Sequence, residues 1–463
     1  MDKFTKVTIA SILILIFLIF FFIFLGTFRK NHIREINISG GEESANFSDS
    51  KLIVKFARPI QRENIKERIS ISPETEFNVN FINNDLQLTF PNDLDESREY
   101  KVTLKKGILD IYGDELEGEF NYEFQTKKEY ITYLNKGVGG DKDKIIQSNK
   151  EFNNKKILFE SEKIKDFKKY ENNLLVTIVN SDLTENLILK NLGLNSIRDF
   201  KLEKESILSI DINDNSVLFL SQRVEPKGRF LAPQGNSSIN LFDIKSNSIV
   251  NYNPGNTAVN ALFAEFTPDG KSVIYKSQDS FYYIAGLEKD AQPTGIGRFK
   301  TYGGFNKDLN KIVFTEFNPL ETYSSFPFIT IFTSDRELRG VTSGEKYVQD
   351  PRFFNKSDNV IFSENFKELE STTGLFKIMM SSEGEYLDVF KDENFSYEFP
   401  KLNYNDKYLI VERYSKEDLL DIENQRSFID FRKPLFGDIV MYAMEDKKII
   451  GICENCIEGE FNL

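Results

Sequence analysis

Phe266–Ser277 reads FTPDGKSVIYKS, and its look-alikes recur down the chain. Phe305–Glu316 reads FNKDLNKIVFTE, Phe354–Glu364 reads FNKSDNVIFSE, and Leu402–Arg413 reads LNYNDKYLIVER. Each begins with an apolar residue, passes through a turn rich in Asn, Asp, Lys or Gly, and ends in a short β-prone run. A repeat of a few tens of residues built from short strands is the pattern of a radial array of small sheets. The β-runs start near Leu174, Val217, Val273, Ile312, Val360 and Leu409, on average about every 47 residues, the length of a four-stranded unit with its loops.

Six such units leave both ends of this region unassigned. Tyr130–Leu134, Lys144–Gln147 and Lys156–Phe159 read as three strands, and Ile457–Leu463 reads as a lone strand. Together they make a seventh unit shared by the two ends, which removes open sheet edges. Seven units are favoured over six. The repeats resemble the TolB-like, WD40-like β-propeller repeat, seen best in Phe266-Thr267-Pro268-Asp269-Gly270-Lys271, over residues 130–463. The other repeats replace Pro-Asp-Gly, so the resemblance speaks to fold and not to a ligand. Asp-Gly itself is a turn former.

Upstream, Glu35–Thr126 carries alternating strands at short spacing: Leu52–Phe56, Ile69–Ser72, Leu86–Phe90, Tyr100–Leu104 and Phe120–Phe124. Residues 35–126 therefore read as a β-sandwich. The order of Val54–Pro59, Ile71–Pro73, Leu88–Pro91, Tyr100–Leu104, Gly107–Gly113 and Phe124–Thr126 resembles the bacterial Ig-like domain of surface-layer proteins, the SbsA type. That resemblance implies a spacing or adhesion role. Asp110 and Gly113 are expected to make a tight turn.

Val7–Leu25 (VTIASILILIFLIFFFIFL) holds no charge, and at 1.5 Å per residue it spans about 28 Å, close to a bilayer core. A cleaved signal peptide would have a shorter apolar core and a small-x-small site, which Leu25–Phe28 lacks. Residues 1–30 thus read as a cytoplasmic stub and membrane anchor. Flanking charge does not fix orientation, because too few basic residues separate the two sides. The Ig-like and propeller resemblances place the body outside the cytoplasm, as a single-pass cell-membrane protein.

The whole is all-β apart from the anchor. The formal charge of −13 argues against nucleic acid as a partner. The only histidine is His32, which excludes most histidine chemistry. No phosphate loop, nucleophile elbow or complete calcium loop occurs; Gly139–Lys144 and Asp211–Asn215 resemble calcium loops only faintly. No catalytic, cofactor or metal residues are assigned, no cofactor is implied, and the body is expected not to be an enzyme. Cys453 and Cys456 form a candidate disulfide, with a free or a redox-active pair as the other readings. Three long segments, Arg223–Ser237, Asn318–Phe328 and Ser415–Phe436, are candidate binding loops, the last with a short helix. The reading is a binding or scaffold protein for a protein, peptide or envelope polymer. The alternatives are a carboxylate-dependent glycan hydrolase or lyase and a purely structural surface protein.

Overall fold

The computed structural model describes residues 11–21, 31–38, 44–45, 50–200, 202, 204–227, 230–252, 260–277, 280–287, 291–316, 326–342, 346–368, 374–382, 385–420 and 436–462. Residues 11–21 are helical. The remainder of Val7–Leu25 lies outside the described residues, and among those described no helix is long and apolar enough to cross a membrane. The chain divides into two compact units, residues 1–128 and 129–462.

The first unit contains two four-stranded sheets. One orders Ile33–Ile38, Lys51–Phe56, Asp85–Thr89 and Asn78–Ile82; the other orders Ser44–Ala45, Phe120–Thr126, Glu99–Leu104 and Ile69–Ser72. Alternate residues point inward, so Leu52, Val54, Leu86, Leu88, Val102, Leu104 and Phe124 share one core. Asn78–Ile82 (NVNFI) is a strand that the sequence reading missed, because Val79 and Phe81 make too short an alternation to stand out. Asp110 does more than start a turn. It is 0% exposed; its Oδ1 accepts the N–H groups of Tyr112 and Asp114, both at 2.9 Å, and Arg58 lies 3.3 Å from its Oδ2. Gly113 closes the loop at φ +88, where a side chain is disfavoured.

Among the described residues the second unit contains seven further sheets, numbered here in chain order. Sheet 1 comprises Tyr130–Asn135, Asp143–Ser148, Lys156–Ser161 and the C-terminal Cys456–Asn462, which pairs with Tyr130–Asn135. Sheet 2 runs Ile164–Tyr170, Asn173–Val179, Glu185–Asn191, Ser196–Asp199. Sheet 3 runs Glu205–Ile212, Ser216–Lys227, Ser238–Asp243, Ser248–Tyr252, with Phe230–Pro233 folded back on its second strand. Sheet 4 runs Ala261–Phe266, Ser272–Ser277, Ser280–Ala285, Pro293–Arg298, and sheet 5 runs Thr301–Phe305, Lys311–Glu316, Phe328–Thr333, Leu338–Gly340. Sheet 6 runs Val348–Phe353, Val360–Glu368, Gly374–Ser382, Glu385–Phe390, and sheet 7 runs Phe395–Leu402, Tyr408–Ser415, Asp438–Ala443, Lys448–Cys453. Each is an antiparallel meander.

The second strand of each sheet explains the unbroken apolar runs in the sequence. Such a strand is covered on both faces, so both sets of alternate side chains are apolar. Val217 and Phe219 pack toward sheet 2, while Leu218 and Leu220 pack toward sheet 4. Ile274 and Val313 each pack toward the following sheet, and Val273 and Phe314 toward the preceding one. The pattern continues through Val360/Ile361 and Leu409/Ile410. Ile410, Ile439 and Met441 of sheet 7 then pack against Ile131, Tyr133 and Ile146 of sheet 1. Sheet 1 in turn meets sheet 2 through Leu134, Leu158, Phe167 and Val176. The packing order is therefore cyclic.

Polar contacts repeat at both ends of the sheets. At the ends where the first strands begin, Lys136 Nζ donates to the Ile164 carbonyl (2.9 Å) while Asp143 accepts the Ile164 N–H (2.8 Å). One sheet further on, Lys165 and Glu185 grip the backbone of Ile207 in the same way. At the opposite ends, turn holds turn: Asn213 Nδ2 donates to the Gly270 carbonyl (3.0 Å), Asn306 to Asp358 (3.0 Å), Asn355 to the Asn403 carbonyl (2.8 Å), and Asn403 to Glu129 (2.9 Å).

Candidate functional site

The first strand of a sheet is the leading strand below; in sheet 1 this is the C-terminal Cys456–Asn462. Every leading strand is interrupted by a register shift against its neighbour, for example between Ile207 and Ser209, between Gln349 and Arg352, and between Ile457 and Glu460. A bulge of this kind bends the strand and re-aims the side chains after it. Beyond each bulge, a residue two or three from the end of the pairing falls at one equivalent position, opposite a second-strand residue that faces the following sheet: Glu460 opposite Thr132, Lys168 opposite Leu175, Asp211 opposite Leu218, Glu265 opposite Ile274, Gly304 opposite Val313, Arg352 opposite Ile361, and Lys401 opposite Ile410. Six of the seven positions are charged and the seventh is glycine. All seven residues are half-buried.

These side chains converge although they come from different sheets. Lys168 Nζ is 2.8 Å from Glu460, and Lys401 Nζ is 3.9 Å from the same carboxylate. Lys168 keeps 33% of its side-chain exposure and Glu460 keeps 16%. The negative charge of Glu460 holds the Lys168 ammonium above the usual lysine range, with further help from Glu265, Asp211 and Asp166. Burial pushes the Asp211 carboxyl up to about 7, and the neighbouring charge of Glu265 adds to the rise; Lys168 and the N–H groups of Phe266 and Ile212 oppose it. Burial, then Glu265, also lifts the Tyr302 phenol well above its ordinary value, and Arg352 acts the other way.

Gly304 has a physical reason. Its φ is +121, and a Cβ there would lie 3.5 Å from Arg352 Nη1. Arg352 leans toward this gap and donates from Nη1 to the Gly303 carbonyl at 2.8 Å.

A second, drier group of acids lies in sheets 6, 7 and 1. Glu398 is 6% exposed and sits directly opposite Glu412, itself 2% exposed. Glu398 accepts from Ser396 Oγ (2.9 Å) and Gln349 Nε2 (2.8 Å). Glu412 accepts the Glu458 N–H at 2.8 Å and the Tyr414 hydroxyl. Burial first, then Asp350, pushes the Glu398 carboxyl up to about 7.

Cys453 and Cys456 are joined in a disulfide with Cα atoms 5.6 Å apart, linking the last strand of sheet 7 to the closing strand of sheet 1. The two faint calcium loops serve as turns and clamps. Asp143 binds Lys136 (2.6 Å), and Asn213 Oδ1 accepts the N–H groups of Asn215 and Ser216. Among the described residues no three His, Cys, Asp or Glu side chains are grouped to hold a metal.

Sequence reasoning missed the charged layer. Its signal is a charged residue just before the apolar residue that opens each turn, as in Glu265-Phe266, Arg352-Phe353, Lys401-Leu402 and Glu460-Phe461. Charge alternates with apolar residues in any half-buried strand, so only the aligned repeats single this position out.

The bacterial Ig-like domain matches residues 34–126. No curated protein matches the chain. Solved structures similar to it include a TolB from Agrobacterium tumefaciens, at 12% identity and a TM-score of 0.39, covering 58% of this chain and 90% of that one. Dipeptidyl peptidase 4 from Porphyromonas gingivalis is similar at 10% identity and a TM-score of 0.41, covering 79% of this chain and 53% of that one. A puromycin-hydrolysing peptidase from Mycobacterium tuberculosis is similar at 7% identity and a TM-score of 0.47, covering 71% and 54%. The chain spans about half the length of these peptidases. Most such neighbours are enzymes, among them dipeptidyl, prolyl and acylaminoacyl peptidases, and this overturns the expectation that the body is not an enzyme. That expectation rested on the lack of a usable histidine, of a phosphate or cofactor loop and of a metal cluster, which leaves carboxylate chemistry open; burial raises the Asp211 and Glu398 carboxyls to about 7. In architecture, the chain is an all-β protein that joins a bacterial Ig-like domain to a body similar to TolB and the propeller peptidases.

Proposed function

We propose that residues 130–463 form a seven-bladed β-propeller held outside the cytoplasm by Val7–Leu25, with the Ig-like domain as spacer. One end of this propeller binds a protein, a peptide or an envelope polymer. Support for seven blades comes from the cyclic packing of the seven sheets and from the pairing of Cys456–Asn462 with Tyr130–Asn135. A ring closed in this way leaves no free sheet edge between its ends.

The observation that carries the binding reading is where the long connections leave the sheets. Arg223–Ser237, Asn318–Phe328 and Ser415–Phe436 each join a second strand to a third, in sheets 3, 5 and 7. In a meander that connection lies at the end where the leading strand begins. The three segments therefore emerge on the same end of the ring. Much of the last two, 317–325 and 421–435, lies outside the described residues; Lys416–Leu420 is helical and Phe230–Pro233 forms a hairpin with Val224–Lys227. Rigid sheets presenting lengthened loops on one end are a common arrangement for recognition.

The test uses the full chain in detergent micelles. Residues 318–327 and 416–435 are replaced, separately and together, by short Gly-Ser linkers, and binding to washed cell-envelope fractions is measured. The double replacement should abolish retention while leaving the melting transition in place. Undiminished retention would refute a role for this end of the ring.

A further inference from the structure

The charged layer contains three acidic and three basic side chains, but they are unevenly matched. Glu460 has two lysines beside it, at 2.8 and 3.9 Å. Across the layer, the Glu265 carboxylate makes no hydrogen bond or ion pair among the described residues. The Arg352 guanidinium reaches only the Gly303 carbonyl and meets no carboxylate there. The Tyr302 hydroxyl likewise has no hydrogen-bond partner among the described residues.

These three groups belong to consecutive sheets. Glu265 lies on sheet 4, Tyr302 on sheet 5 and Arg352 on sheet 6. Glu265 and Arg352 hold the register position at which Glu460, Lys168 and Lys401 meet, on the leading strands before and after that of Tyr302, and the Tyr302 ring lies 5.7 Å from the ring of Phe263 on the strand of Glu265, so the three groups border one stretch of the layer. Between the two charges stands Gly304, the one layer position with no side chain. An anion and a cation in one layer, half-buried and unjoined, leave each other poorly satisfied.

We propose that Glu265, Tyr302 and Arg352 form a binding site for a small zwitterion of the amino-acid type. Its ammonium group donates to the Glu265 carboxylate. Its carboxylate accepts from the free N–H groups of Arg352, whose planar fork suits a carboxylate. Tyr302 supplies a hydroxyl between the two, and Gly304 leaves the wall open for the ligand's carbon frame. A simple amine would leave Arg352 unmatched, and a simple carboxylate would leave Glu265 unmatched. Only a ligand with both charges completes both pairings. The site rests on the ring arrangement of the sheets and not on the long loops.

The experiment measures heats of binding for the full chain in detergent micelles. The probes are glycine, L-alanine and triglycine, with methylamine, acetate, N-acetylglycine and glycinamide as single-charge controls. At least one zwitterion should bind at least tenfold more tightly than every control. Glu265→Gln and Tyr302→Phe should each weaken that binding, Glu265→Gln by tenfold or more, with the melting transition retained. The chain with residues 318–327 and 416–435 replaced should bind the zwitterion as the unaltered chain does, which separates this site from the loop-bearing end. No heat from any zwitterion at 10 mM, equal binding of methylamine or acetate, or full binding by Glu265→Gln would each overturn the proposal.

Discussion

Replacing Glu398 with Gln should make the protein more stable at neutral and alkaline pH and flatten its response to pH. In the native structure Glu398 faces Glu412 across two paired strands, both nearly sealed from water, and Asp350 adds a third negative charge. Its hydrogen bonds come from Ser396 and Gln349, which are neutral donors. The folded carboxyl therefore binds its proton more tightly than the unfolded one, with a pKa of about 7 against an ordinary 4.5. The unfolded chain thus releases this proton first as pH rises. Stability from this group is intact below about 4.5, declines between 4.5 and 7, and is level above 7. A rise of that size corresponds to about 3 kcal/mol. In a unit this large, that is roughly 3–6 °C of melting temperature. Asp211, also near 7, adds a slope of the same sign. Gln keeps the shape and can still bond Ser396 and Gln349. Melts of the full chain followed by circular dichroism at pH 5, 6, 7 and 8 provide the assay. The unaltered chain should lose stability over this range, and Glu398→Gln should lose distinctly less. An identical pH slope in the two proteins would refute the reasoning.

Deleting Cys456–Leu463 should open the packing cycle, since Cys456, Ile457 and Phe461 contact the cores of sheets 1, 2 and 7; the lost burial is worth about 5 kcal/mol, and an unchanged melt would show the strand to be dispensable. Asp110→Ala should destabilise the Ig-like unit by about 2 kcal/mol, read by urea unfolding, because it removes the acceptor of two N–H groups and one of the two carboxylates beside Arg58, leaving Asp114; a loss under 1 kcal/mol would reduce Asp110 to a surface turn residue. Protease added to intact spheroplasts should digest the body of the chain, and full protection would reverse the proposed orientation.

Much of the architecture was readable from pattern alone. The apolar runs at Val273, Ile312, Val360 and Leu409 mark second strands because two-sided burial demands apolar residues at every position. Asn, Asp and Gly mark the turns because few residues accept those backbone angles, as Gly270 does at φ +67. Ile457–Leu463 was legible as a strand without a partner, and the unassigned strand at Tyr130–Leu134 supplied one; the observed strand is Cys456–Asn462. Asn78–Ile82 escaped because a short edge strand carries little periodic signal.

By itself the sequence determined the strand periods and the repeat length. These are local properties, set by alternation, turn chemistry and composition. Tertiary structure alone decided that Lys168 and Lys401 meet Glu460, that Asp211, Glu265 and Arg352 hold the same register position on neighbouring sheets, and that Gly304 leaves a gap beside Arg352. It also decided that Glu398 faces Glu412 in a dry interior. These residues are tens to hundreds of positions apart, and each resembles an ordinary solvated charge in its own strand. Their chemistry arises from the low-dielectric space that cyclic packing and seven bulges place them in, and no local pattern encodes that space.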